Sequence, residues 1–102
     1  SSGDQEDHVS MGMTAALKLE DVARNTQTVL GIEALCAAQA IDLLAPLKPG
    51  PGTAKGHAIV RGLAPRLGRD RYLAPEIEAA AAAVREGAFA RVAEGLREGA
   101  GA

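Results

Sequence analysis

The sequence predicts an all-α chain in which one long central helix is followed by shorter ones. Three observations carry that class. No proline interrupts the chain from Asp4 to Leu44, and apolar residues recur through that span three and four positions apart. No segment alternates apolar and polar residues with the period of a strand. The five prolines, Pro46, Pro49, Pro51, Pro65 and Pro75, then divide the remainder into short pieces.

The long helix is expected over about 4–44. Ala15/Ala16, Leu19, Val22/Ala23, Val29/Leu30, Cys36/Ala37, Ala40 and Leu43/Leu44 form one stripe, with Thr26 and Glu33 filling its steps. Leu17, Ile32, Leu35, Ala38 and Ile41 lie off it, so the second half is apolar nearly all round. About 40 helical residues make a rod roughly 50 to 60 Å long, whereas a compact globule of this length has a radius of gyration of only about 13 Å. The remaining residues are too few to cover such a rod. Other protein must surround it, as further copies of the chain or as the rest of a larger polypeptide.

A Pro/Gly turn at 45–52 ends the rod, because proline removes backbone donors and disfavours helix in the residue before it. Thr53 is expected to cap a short helix over 53–63, with Gly56 and Gly62 weakening it. "APRLGRDR" reads as a basic loop. A second short helix is expected over 75–86, with Pro75 in its first turn, Glu76 and Glu78 near its positive end, and Gly87 as its stop. The chain from Ala88 to Arg97 is expected to add a last helical turn or two, and 98–102 to be a frayed tail.

Composition narrows the functional classes. The chain has 102 residues and is 47% hydrophobic, yet it holds one Phe, one Tyr and no Trp, so any core is built from small side chains. Thirteen acids against eleven bases give a net charge of −2, which is not the footprint of a nucleic-acid binder. Cys36 is the only cysteine, which rules out an intrachain disulfide and points to a reducing, cytoplasmic home; its Ala-rich surroundings predict a small buried thiol. No basic stretch followed by an apolar run opens the sequence, so no secretory signal is expected. The apolar stretch from Val29 to Leu47 contains Glu33, Gln39 and Asp42, which argues against a membrane span.

The densest chemistry lies in Asp4-Gln5-Glu6-Asp7-His8-Val9-Ser10-Met11-Gly12, where charge crowds the mouth of a helix otherwise built to be enclosed. Three readings compete. Asp4 is a good N-cap, and acids in a first turn sit well against exposed amide donors, which explains the acids without any function. A metal could take carboxylates and an imidazole, but only Asp4 and His8 share a helix face and no third ligand is evident, so no metal site is expected. Alternatively the helix mouth lines a pocket, with a carboxylate accepting a hydrogen bond or a proton and a glutamine supplying both donor and acceptor. His57, isolated beside glycines, reads as a surface residue.

The string Gln5-Glu6-Asp7-His8-Val9-Ser10-Met11-Gly12 resembles the signature opening the C-terminal portion of the histidine ammonia-lyases, within the aromatic amino-acid ammonia-lyase family. "GIEALCAAQAIDLLAPLKPG" and "RDRYLAPEIEAA" resemble the same family in the same order, so the likeness spans Gln5 to about Ala82. It implies a fragment of an all-helical homotetramer that eliminates ammonia from L-histidine to give urocanate. The electrophile there is a methylidene-imidazolone prosthetic group formed from an Ala-Ser-Gly triad in a more N-terminal region, outside this chain, and several subunits assemble each active site. Glu6 matches the family's catalytic and substrate-binding glutamate, which contacts the imidazole and has been considered as a proton acceptor. Gln5 matches the adjacent substrate-binding glutamine, while Asp7 and His8 are expected to support the helix start.

Relatives acting on phenylalanine or tyrosine carry glutamine at the glutamate position, so a carboxylate at Glu6 favours an imidazole N–H donor. Two departures stand out. Ser1-Ser2-Gly3-Asp4 continues differently from the prosthetic triad and is rejected as the electrophile, and Leu44 stands where arginine is common. These residues alone are expected to be catalytically silent. The alternatives are another aromatic amino-acid ammonia-lyase or aminomutase, or a non-catalytic helical association module.

Overall fold

The structure is a computed structural model that describes the backbone of residues 2–101 and the side chains of residues 11–99. It is all-α, with no strand among the described residues. Helix α1 spans Ser2–Leu43, α2 Pro51–Leu63, α3 Ala74–Arg85 and α4 Ala88–Gly101. Among the described residues, no helix is long and apolar enough to cross a membrane.

Helix α1, with 42 residues, is a rod of about 63 Å at 1.5 Å per residue. It dominates a molecule of 69 × 44 × 17 Å whose radius of gyration, 19.2 Å, far exceeds the roughly 13 Å of a compact chain this long. Helix α3 runs back along it. Leu73 and Glu76 share a cavity wall with Leu35 and Gln39, whereas Arg85 at the other end lies by Glu20 and Arg24. The two backbones touch at Gly31, where a Cβ would sit 2.8 Å from the amide nitrogen of Ala81 and 3.2 Å from Cβ of Ala80.

The packed face of α1 is not the one that periodicity singles out. Leu19 (69% exposed), Val29 (55%) and Leu43 (65%) of the predicted stripe lie open. Gly31 and Ala38 are buried instead, flanked by half-buried Ala34, Leu35 and Ile41. The reason is steric. Helix α3 offers Ala79–Ala83, and alanine makes useful contacts only where the opposing backbone comes close, so it selects the narrow Gly/Ala side of α1 rather than the bulky one. The same selection leaves Cys36 exposed, in place of the buried thiol expected. The buried apolar set of Ala38, Val60, Ala64, Ala80, Ala81 and Ala83 contains nothing larger than valine.

Helix α2 starts two residues before the expected Thr53 cap. Gly50 takes the N-cap position with extended backbone, and Pro51 follows in the first turn, where its fixed φ suits a helix and its missing N–H costs nothing. Helix α3 begins at Ala74 with Pro75 and Glu76 in its first turn. It stops at Gly87, whose φ of +81° is the left-handed conformation that glycine adopts readily.

The segment after Gly87 differs from expectation. Instead of a turn or two and a tail frayed from 98, it forms the 14-residue helix α4. Phe89, Val92 and Leu96, spaced three and four apart, give it one apolar face. Leu96 packs over Gly52, where any side chain would collide with it, and Phe89 lies among Thr53, Gly56 and Val60 of α2.

Candidate functional site

The predicted site residues Gln5 and Glu6 fall in the first turns of α1. Their side chains, with those of Asp4, Asp7 and His8, lie outside the described residues. The helix bounds place Asp4 inside the first turn rather than at its cap, which still sets the acids near the positive end of the helix dipole.

The described polar chemistry gathers at the opposite end of the rod. Asp42, in the last turn of α1, is met by two side chains from successive turns of α2. His57 Nε2 lies 2.8 Å from Asp42 Oδ1, and Arg61 donates to Oδ2 from Nε at 3.0 Å and from Nη2 at 2.6 Å. Arg61 also donates from Nη1 to the Ala64 carbonyl at 2.9 Å, tying the end of α2 to the chain that follows. The Arg61 hydrogen bond, and then that of His57, hold the Asp42 carboxyl below its ordinary value of 3.8. His57 is thus half-buried and paired rather than a free surface residue. The spacing of four between His57 and Arg61 is visible in sequence, but which turn of α1 would face them is not.

Two further fasteners hold the loop between α2 and α3. The Gln39 side-chain amide donates to the Leu67 carbonyl and accepts from the Leu67 amide, both at 3.0 Å, so one side chain replaces a backbone partner twice. Arg71 donates to both oxygens of Glu76, at 2.9 and 3.0 Å, and to the carbonyls of Pro65 at 2.7 Å and Arg66 at 3.3 Å. The basic loop is therefore a folded connector, its last arginine locked to the first turn of α3.

This arrangement is suited to fastening rather than to catalysis. Both oxygens of Asp42 and both of Glu76 are engaged by the chain itself, and no buried side-chain polar atom among the described residues lacks a partner. No cluster of three potential metal ligands occurs among them either. Beside the fasteners an apolar cup of about 300 Å³ opens between α1 and the loop, walled by Leu35, Cys36, Leu43, Pro65, Leu67 and Leu73.

The family described as Aromatic amino acid lyase matches residues 1–62. Histidine ammonia-lyase of Koribacter versatilis is 51% identical over 92 residues, 90% of this chain and 18% of that protein. Histidine ammonia-lyase of Anaeromyxobacter sp. (strain K) is 54% identical over 87 residues, 85% of this chain and 17% of that protein. That of Symbiobacterium thermophilum is 46% identical over 96 residues, covering 94% and 19%. The chain thus spans less than a fifth of the length of these relatives. No solved structure matches it. With more than half of its residues inside the family match, and with an all-helical fold, the chain belongs to the aromatic amino acid lyase family.

Proposed function

We propose that the chain is the C-terminal portion of a histidine ammonia-lyase, an enzyme that breaks the C–N bond of L-histidine and a neighbouring C–H bond to release ammonia and urocanate. The observation that carries this reading is the string Gln5 to Gly12, with a carboxylate at Glu6, inside the span of the family match. The names of the relatives support the same substrate. Glu6 is the catalytic residue that this segment contributes. In this reading its carboxylate accepts the imidazole N–H in a charge-assisted hydrogen bond, holds the ring in place and serves as a proton acceptor. Gln5 beside it offers one donor and one acceptor to the substrate.

The 102 residues contain no Ala-Ser-Gly sequence, so they cannot form the methylidene-imidazolone electrophile, which must come from elsewhere in the protein. The segment is accordingly silent alone. The open apolar side of α1 supports packing against other subunits in a homotetramer, and the single cysteine suits a cytoplasmic enzyme.

The test is Glu6→Gln in the full-length enzyme, followed by urocanate absorbance. Turnover is expected to fall by about 100-fold or more, the usual worth of a positioned acid or base. Unchanged turnover overturns the assignment. A panel of histidine, tyrosine and phenylalanine separates this reading from another aromatic amino-acid ammonia-lyase or an aminomutase. The open face of α1 also favours a second reading, a non-catalytic association module. Light scattering on the isolated chain tests it, since a stoichiometric oligomer is expected of a module and ill-defined aggregation of a catalytic segment lacking its neighbours.

A further inference from the structure

We draw no further inference here: the strongest candidate, the apolar cup between the second half of α1 and the 64–73 loop with the Cys36 thiol at its lip, carries nothing, because no unpartnered buried polar group in it points to a ligand and nothing in the structure shows what covers it.

Discussion

Asp42 shows how a single acid fixes the placing of an element. Its carboxyl, held below 3.8 by Arg61 first and His57 second, is charged when the chain is folded and paired. A depressed folded pKa contributes stability that is present above the unfolded value and is lost as pH falls through the folded one. Thermal melts are therefore expected to lose stability as pH drops below about 3.8, with the loss flattened in Asp42→Asn, which should also melt lower at neutral pH. A melt of Asp42→Asn with the wild-type pH slope would remove the residue from this role. Gly31 makes the opposite kind of demand, for absence of bulk. Alanine is favoured over glycine in a helix by about 1 kcal/mol, but its Cβ at Gly31 would lie 2.8 Å from a backbone nitrogen that no rotamer change can move. Overpacking of that kind costs about 1–3 kcal/mol, so Gly31→Ala is expected to lower stability in a denaturant titration despite the better helix former.

Among the elements, the connector between α2 and α3 carries more order than its composition suggests. Arg71 reaches Glu76 with two parallel hydrogen bonds and holds two carbonyls of the loop at the same time. Lysine keeps the charge but cannot reproduce the planar fork. Arg71→Lys is expected to cost about 1–2 kcal/mol, given the usual worth of charge-assisted bonds, and to speed amide exchange at Leu67 and its neighbours. Unaltered exchange there would contradict the locking role. Helix α4 makes a related point. The sequence predicts only a last helical turn or two there, whereas Leu96 of its apolar face packs at the glycine notch of Gly52, a contact between residues far apart in sequence.

For the whole molecule, the governing fact is the mismatch between a rod of 42 residues and a core in which, among the described residues, nothing buried exceeds valine. Large apolar side chains such as Leu17, Leu19, Val22, Val29 and Ile32 line α1 in the open. Replacing Leu19, Val22 and Val29 by serine is expected to leave the α1–α3 packing of the chain intact, since all three are more than half exposed. In the proposed full-length enzyme the same change should break the assembly into smaller species in analytical ultracentrifugation. An assembly of unchanged size would mean that another face carries the subunit contacts. The Cys36 thiol offers a parallel readout, expected to react quickly with a thiol reagent in the isolated chain and slowly in the assembled protein.

The sequence by itself determined that the chain is helical, where the rod ends, and where α3 starts and stops. Those properties follow from hydrophobic period, proline and glycine, which act over a few residues. The sequence also carried the Gln5 and Glu6 signature by which a pocket is proposed. Only the tertiary structure decided which side of α1 is used within the chain, that Cys36 is exposed, that His57 is paired with Asp42 and that α4 runs as a full helix. Each of these depends on how closely two backbones approach, and that distance is set by small residues, Gly31, Gly52 and Ala79–Ala83, whose lack of bulk registers in a hydrophobic pattern only as weakness.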